Sequence, residues 1–240
     1  MFFPYRDDNP TDITPYVTIG LIVVNILAFI LQIAASDWGI KFAMIPSDVV
    51  NIESPASYPN PLITLFTSMF MHGGPFHLIG NMFFLWIFGN NVEDTFGHYK
   101  FIIFYLFCGL VADMAHIALN YTSLTPTLGA SGAISGVMGA YMLLYPHARI
   151  HIAYFYFGPL HKKFDISALY YLGFWIIMQL FYTYLGLGGV AWYAHIGGFA
   201  AGALIIFLHV LIAPVKNHID TTPIRKKVYF SKKRNNWPEL

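Results

Sequence analysis

The chain has 240 residues, of which 57% are hydrophobic and only 10% are charged, and its mean hydropathy is +0.56. Because a soluble domain carries about 25% charged residues, this composition indicates a polytopic membrane protein. The formal net charge of +1 excludes a nucleic-acid binder driven by bulk electrostatics, and the single cysteine, Cys108, excludes an intrachain disulfide or a cysteine-based metal site.

Six apolar segments approach the length of about 20 residues that a helix needs to cross a bilayer. They are residues 15–35, 75–92, 100–119, 128–145, 166–185 and 190–213. The predicted fold is therefore an all-α, polytopic integral membrane bundle of six transmembrane helices. It divides into a short cytoplasmic segment (1–13), a six-span core (14–213) and a basic cytoplasmic tail (214–240).

The distribution of Lys and Arg predicts the orientation of this bundle. An even number of spans puts both termini on one side, and basic residues mark the cytoplasmic side. Of the 13 Lys and Arg residues, 12 fall at the N-terminus, after spans two and four, or in the tail, and only Lys41 falls on the other side. Both termini are predicted to be cytoplasmic. The apolar loop after span one is predicted to pack on the protein or in the outer interface.

Polar side chains on three spans are predicted to meet at one depth. Spans two, four and six would all run from the outside inward. His77 and Asn81 then share one face of span two, while Ser131 lies three residues into span four and His195 five residues into span six. At 1.5 Å per residue all four groups lie roughly 3–10 Å below the outer ends of their helices. Ionisable groups at membrane depth are costly and are functional-site candidates.

Small residues on spans four and six predict that these helices touch. Their three-to-four spacing forms one stripe on each helix, and such stripes let membrane helices approach closely. The residues are Gly129, Gly132, Gly136 and Gly139 on span four, and Ala191, Ala194, Gly198 and Gly202 on span six. A hydrogen-bonding distance between Ser131 and His195 is therefore expected.

At these positions the chain resembles the rhomboid intramembrane serine proteases, over about residues 14–213. The matching motifs are His72-x4-His77-x3-Asn81, Glu93-x3-Gly97-x3-Phe101, Gly129-x-Ser131-Gly132 and Ala194-His195-x2-Gly198-x3-Gly202. Each motif is weak alone, but here the four occur in the expected order. The resemblance implies an endopeptidase that cleaves transmembrane or juxtamembrane segments of other membrane proteins.

The resemblance also implies roles for individual residues. Ser131 would be the nucleophile and His195 its general base, and the chemistry fits, because a serine hydroxyl needs an adjacent base. The Ser131 N–H and the side chains of His77 and Asn81 would stabilise the oxyanion. His72 would tie the outer loop to span two. Neither a cofactor nor a metal is expected, since no His-Glu-x-x-His motif is present.

Three features leave alternatives open. Some members of the family carry an aromatic residue four positions after the nucleophile, packed on the catalytic imidazole; here that position is Ser135, so the residue that packs on His195 is unspecified. Asp113 and His116 could complete a triad, although mutual structural pairing is the favoured interpretation. The aromatic fifth span could be a lateral access route for substrate or a lipid-facing helix.

Two other functions compete with the protease. A catalytically inactive rhomboid-like protein would bind membrane clients, but such proteins typically lack the serine or the histidine. A small transporter would show internal repeats and helices interrupted at the midplane, and neither is evident. The expected partners are membrane-protein substrates and the lipid bilayer, with no nucleic acid. The expected location is the cell (inner) membrane, with the active site opening to the outside.

Overall fold

A computed structural model describes residues 2–35, 37–53, 55, 58–155 and 161–212, and the predicted basic tail lies outside them. The described chain is mainly helical. Its helices are α1 (Tyr16–Ala34), α2 (Trp38–Lys41), α3 (Pro46–Asn51), α4 (Pro61–Thr67), α5 (Pro75–Phe96), α6 (His98–Asn120), α7 (Ser131–Leu144), α8 (Ala168–Tyr184) and α9 (Trp192–Ile212), with a 3₁₀ turn at Ser68–Phe70 and strands β1 (Phe2–Asp7), β2 (Arg149–Phe155) and β3 (His161–Ser167).

Three helices of the described chain, α1, α6 and α9, are long and apolar enough to cross a membrane by themselves. The segment Pro61–Phe70 and helix α5 together pass the same test, although they are bent by 79° at the break between them. The described residues therefore form a helical membrane protein with three or four candidate spans. Helices α7 and α8 coincide with the fourth and fifth predicted spans but are shorter, at 14 and 17 residues.

Helix α7 forms the centre of the bundle. It packs against α5, α6, α8 and α9, and most of its residues are buried, including Val137, Met138 and Tyr141. Its 14 residues span about 21 Å, less than the hydrocarbon thickness of about 30 Å. A helix enclosed by protein does not have to match that thickness, because its ends are covered by other segments and not by lipid.

Glu93 fixes the start of α1 against α5. Its buried carboxylate accepts hydrogen bonds from the backbone N–H groups of Val17 (2.8 Å) and Thr18 (2.7 Å) and from the Thr18 hydroxyl (2.7 Å). These N–H groups lie in the first turn of α1, where they lack intrahelical partners and where the helix dipole favours negative charge. The carboxylate therefore holds two helices together and gives α1 its N-terminal cap.

A three-stranded antiparallel sheet corrects the all-α prediction. β2 lies in the middle, with Asp7 of β1 opposite Ile150 and Ser167 of β3 opposite Arg149. The sheet pairs segments far apart in sequence, so it cannot be read from one hydropathy profile. The fifth predicted span began at residue 166, which belongs to β3; the helix begins at Ala168.

The sheet lies at the end of α7 opposite Ser131. It is attached there by the Tyr141 hydroxyl, which donates a 2.5 Å hydrogen bond to the Asp7 carboxylate. Burial of Asp7 raises the pKa of its carboxyl from 3.8 to about 6. Pairing of β1 with β2 also puts the N-terminal segment and the connection between α7 and α8 on one side of the bundle, as the distribution of basic residues predicted.

The long segment between α1 and α5 packs in part on the protein, which is one of the two placements predicted for it. It contains α2, α3, α4 and the 3₁₀ turn, and it buries Met44 and Met69. Met44 also forms an isolated antiparallel bridge with Thr127 in the connection that precedes α7. The segment between α1 and α5 thus supports the loop that carries Gly129 and leads into Ser131.

Candidate active site

Ser131 and His195 are joined by a hydrogen bond. Ser131 is the first residue of α7 and His195 lies in the first turn of α9, and the Ser131 Oγ and His195 Nε2 atoms are 2.8 Å apart. The helices come this close because Gly198 faces Gly132: a Cβ on Gly198 would lie 2.0 Å from the Gly132 carbonyl oxygen. The stripes of small residues thus place a hydroxyl and an imidazole in contact.

Aromatic residues from two helices enclose the His195 ring. The Trp175 ring of α8 lies 5.8 Å from it, tilted by 35°, and the Trp192 ring of α9 lies 6.1 Å away, edge to face. Ser135 makes no part of this enclosure; its hydroxyl donates to the Ser131 carbonyl oxygen at 2.6 Å. The aromatic packing that Ser135 cannot provide therefore comes from Trp175 and Trp192.

The other nitrogen of His195 contacts an amide. The His195 Nδ1 and Gln179 Oε1 atoms are 2.9 Å apart, and Gln179 is only 5% exposed. Sequence reasoning considered the aromatic residues of this span and missed Gln179. The signal was available, since a polar side chain within an apolar span is costly and needs a partner.

His77 and Asn81 lie one turn apart at the start of α5. The Gly73 N–H donates to His77 Nδ1 at 3.2 Å, and the Asn81 side-chain amide donates to the His77 carbonyl oxygen at 2.9 Å. Since Nδ1 of His77 accepts a hydrogen bond, its Nε2 carries the proton in the neutral ring. His77 therefore has a donor available on the side away from Gly73.

Gly129 brings His77 next to Ser131. A Cβ at Gly129 would lie 2.8–2.9 Å from the His77 ring and 3.6 Å from Ser131 Oγ, and the backbone φ of +128° favours glycine. Any larger residue would separate the imidazole from the hydroxyl. The structure thus brings Ser131, His195 and His77 around one point, with Asn81 one turn away along α5.

His72 lies behind this group, in the turn that precedes α5. Its side chain is fully buried, and its ring contacts those of His77 and Phe29 at 5.3 and 6.4 Å. The Gln32 amide of α1 bonds both backbone groups of His72, donating to the carbonyl oxygen at 2.6 Å and accepting from the N–H at 3.0 Å. The turn that carries His72 is therefore fixed to α1.

The N-terminus of α7 supplies further hydrogen-bond donors. The first bond that closes a helical turn runs from the Ile134 N–H to the Ala130 carbonyl oxygen, at 3.0 Å. The N–H groups that precede Ile134 in α7 have no intrahelical acceptor, and the helix dipole makes this end attractive to negative charge. Oriented donors of this kind can stabilise an oxygen anion formed beside Ser131.

A cavity of about 1120 Å³ lies beside Ser131 and His195. Ser131, His195, His77 and Asn81 line it, together with residues of the connections between α6 and α7 and between α8 and α9. Phe84 of α5 and Trp175 of α8 also contribute. Ser131 and His195 are therefore accessible from this cavity.

Asp113 and His116 do not pair with each other, and that expectation is wrong. Asp113 Oδ2 accepts from the Ser68 hydroxyl at 3.3 Å, while His116 Nε2 lies 3.2 Å from the Thr127 hydroxyl. Although they are three residues apart on α6, Asp113 contacts the 3₁₀ turn and His116 contacts the loop before α7. His116 lines the cavity, but its hydrogen bond is to Thr127.

Within the described residues, no group of three or more His, Cys, Asp or Glu side chains is arranged to hold a metal ion.

The aromatic helix α8, which corresponds to the fifth predicted span, has two faces. Tyr170, Phe174 and Phe181 are exposed, whereas Trp175 points toward His195. The exposed rings fit a lipid-facing surface, and the role of this helix in substrate access stays a prediction.

Comparison with known proteins gives one family. Residues 59–211 match the family model described as the Rhomboid domain. Rhomboid protein 1, mitochondrial, of Saccharomyces cerevisiae is 29% identical over 156 residues, covering 62% of this chain and 41% of the relative. RHOMBOID-like protein 6, mitochondrial, of Arabidopsis thaliana is 32% identical over 148 residues, covering 60% and 42%. RHOMBOID-like protein 1 of the same plant is 30% identical over 148 residues, covering 61% and 34%. The chain spans less than half the length of these relatives.

Proposed function

The chain belongs to the rhomboid family, and we propose that it is an intramembrane serine endopeptidase. It would cleave transmembrane or juxtamembrane segments of other membrane proteins, with Ser131 as the nucleophile and His195 as the general base. The observation that carries this proposal is the 2.8 Å contact between Ser131 Oγ and His195 Nε2 at the wall of a large cavity. A hydroxyl within reach of a neutral imidazole is the arrangement that nucleophilic catalysis by serine requires.

The proposed reaction has two halves. His195 Nε2 removes the Ser131 proton as Oγ attacks the carbonyl carbon of the scissile peptide, and the carbonyl oxygen becomes an anion. The C–N bond then breaks, and His195 gives the proton to the departing amine. Water attacks the resulting ester after losing a proton to His195, and the acid product leaves with the Ser131 hydroxyl restored.

The groups around Ser131 fit the stabilisation of that anion. Donors directed at a developing charge act mainly in the transition state and can account for several kcal/mol of catalysis. The N–H of Ser131 at the start of α7, the Nε2–H of His77 and the amide of Asn81 are the proposed donors. Asn81 donates to a backbone carbonyl in the present structure, so its amide would have to rotate toward the substrate oxygen.

The proposed topology has six spans. It adds α7 and α8 to the helices that are long enough to cross the membrane alone, and it counts α5 as one span. Basic residues such as Arg6, Lys100 and Arg149 would then mark the cytoplasmic side, with the cavity opening outward in a cell inner membrane. Two of the relatives carry "mitochondrial" in their names, so fractionation of cells expressing the tagged chain is the direct test of location.

Active-site labelling tests the reaction. The purified protein in detergent should be modified on Ser131 by a fluorophosphonate, as read by mass spectrometry, and Ser131→Ala should remove the label. The wild-type protein, reconstituted with single-span reporter proteins of varied sequence, should cleave at least one of them in the presence of EDTA. A client-binding protein or a transporter would give neither label nor cleavage, and zinc-dependent cleavage would overturn the serine mechanism.

A further inference from the structure

We infer that Gln179 is a positioning residue that sets the tautomer and orientation of the His195 ring. The inference rests on the proposed function, since it assigns a role in the reaction of Ser131 and His195. The amide belongs to α8, whereas Ser131 and His195 belong to α7 and α9. A residue on a third helix would therefore determine which nitrogen of His195 carries the proton and how the ring is oriented.

Burial stabilises the contact between Gln179 and His195. Gln179 is 5% exposed, and its Oε1 lies 2.9 Å from His195 Nδ1. A buried amide left without partners costs about 1–3 kcal/mol, so moving the Gln179 side chain away from the His195 ring is unfavourable. The hydrogen bond also restricts rotation of the imidazole, since the opposite nitrogen is held by Ser131 at 2.8 Å.

A second contact fixes which end of the amide faces the histidine. The Gln179 Nε2 atom donates to the Trp175 carbonyl oxygen, one turn earlier on α8, at 3.3 Å. A carbonyl oxygen can only accept, so the NH₂ group must point toward Trp175 and the oxygen toward His195. His195 Nδ1 must therefore carry the proton, and Nε2 presents its lone pair to Ser131. This is the tautomer that can act as a general base.

The same turn of α8 holds the ring in a second way. Trp175 supplies the carbonyl oxygen that orients the amide, and its indole ring packs on the imidazole. Both constraints come from one face of α8, because residues four apart in a helix are neighbours. The opposite face is exposed at Tyr170 and Phe174. The base is therefore in its working tautomer when α8 is seated against α9.

Replacing the amide by an apolar side chain of similar length tests the inference. Gln179→Met removes the acceptor and should lower kcat by about 10- to 100-fold. The size of this effect is taken by analogy from metal enzymes, in which losing the hydrogen-bond partner of a functional histidine lowers activity by that factor. KM should change less than about threefold, because Gln179 acts through His195. Gln179→Glu keeps an oxygen acceptor and should recover most of the turnover. If the Gln179→Met protein does not accumulate in cells, Gln179→Leu serves as the apolar variant in its place.

Asn25→Leu is the matched control. Asn25 is a buried amide on α1 that donates to its own i−4 carbonyl, Leu21, at 2.8 Å, as Gln179 does on α8. It belongs to a helix that carries neither Ser131 nor His195, so this variant should keep kcat within about threefold of the wild type. Equal losses of kcat in Asn25→Leu and Gln179→Met would show a general effect of removing buried amides and would overturn the inference.

A spectroscopic measurement decides the matter without activity. In protein labelled with ¹⁵N-histidine, the His195 resonances are those lost in His195→Ala. Wild-type protein should show a protonated Nδ1 and an unprotonated Nε2, and Gln179→Met should show a mixture or the reverse. An unchanged tautomer in Gln179→Met overturns the inference, whatever its kcat, and leaves the proposed function intact. Absence of Ser131-dependent cleavage in the wild type overturns the proposed function, and the ¹⁵N shifts still report on Gln179.

Discussion

A Cβ atom on Gly202 would lie 1.9 Å from the carbonyl oxygen of Gly136, so α9 and α7 touch backbone to backbone at this level. The same relationship recurs one turn away, where a Cβ on Gly139 would lie 2.2 Å from the Phe199 carbonyl oxygen. Backbone atoms cannot move aside as a flexible side chain can. The separation of the two helices that carry Ser131 and His195 is therefore set by glycine.

Gly202→Ala should destabilise the protein and reduce its activity. Inserting a methyl group into a packed core typically costs about 1–3 kcal/mol, and contact with backbone puts this site at the upper end, about 3 kcal/mol. For a protein of this size that corresponds to a fall in Tm of roughly 6–12 °C. Thermal unfolding in detergent measures the loss of stability. The cleavage rate well below Tm shows whether the contact between Ser131 and His195 is disturbed in the folded protein.

Gly20→Ala is the control for that substitution. Gly20 lies inside α1, and a methyl group there would have no neighbour within 4 Å among the described residues outside its own stretch of helix. The same chemical change should leave Tm unchanged or raise it, since Ala favours a helix by about 1 kcal/mol relative to Gly. A fall in Tm equal to that of Gly202→Ala would show that helix contact is not the cause.

Stability should depend on pH through Asp7. Burial raises the pKa of its carboxyl from 3.8 to about 6, so the folded protein holds this proton more tightly than the unfolded chain does. The contribution of Asp7 to stability is therefore greatest below about pH 4, is lost as pH rises from about 4 to 6, and is constant above that. Each pKa unit corresponds to about 1.36 kcal/mol, so the total change is at most about 3 kcal/mol.

Asp7→Asn isolates this effect. The amide oxygen can still accept from Tyr141, but it cannot ionise. As pH rises from about 4 to 6, the wild type should lose the contribution of Asp7 to its stability, whereas the variant should not. The Tm of the variant in detergent, relative to that of the wild type, should therefore increase over this range and stay higher at about pH 7.5. A parallel pH dependence in both proteins would assign the titration to another group.

The positions of the site residues could be predicted from the sequence to a large extent. Depth along a helix follows from residue number, so His77, Ser131 and His195 could be placed at one level. Glycine spacing predicted that α7 and α9 would be neighbours. These predictions succeed because the membrane restricts the chain to helices of known rise, so the depth of a residue follows from its number of positions along the helix.

The remaining contacts depend on rotation and on pairing between distant segments. Which face of α8 points inward decides whether Trp175 and Gln179 reach His195. The polar Gln179 marks that face, but it does not say which residue on another helix it contacts, and the aromatic residues give little periodic signal. The sheet is a second example: Ile150 and Ile152 are buried on alternate positions of β2, but the partner strand β1 lies at the other end of the sequence. Each segment is too short to stand out as a membrane span in a hydropathy profile.

Ser131→Ala and His195→Ala should each abolish cleavage while leaving the fold intact. The two residues act as one unit, so removing the second after the first should cost little more. The single and double variants should therefore show the same residual rate on a reporter substrate, with Tm values close to that of the wild type. A double variant much slower than either single variant would mean that Ser131 and His195 act independently, and the dyad assignment would be wrong.

Asn81→Ala should lower kcat far more than it raises KM. Asn81 lines the cavity one turn beyond His77 and is only 6% exposed, so its amide can reach an anion formed beside Ser131 after leaving the His77 carbonyl. Loss of one such donor typically costs about 10²–10³ in kcat, and the remaining donors would preserve some turnover. Asn81→Asp should be slower still, because a carboxylate would face the developing negative charge. If Asn81→Ala alters KM alone, or if Asp is tolerated as well as Ala, Asn81 is a packing residue and the anion is stabilised by His77 and the N-terminus of α7.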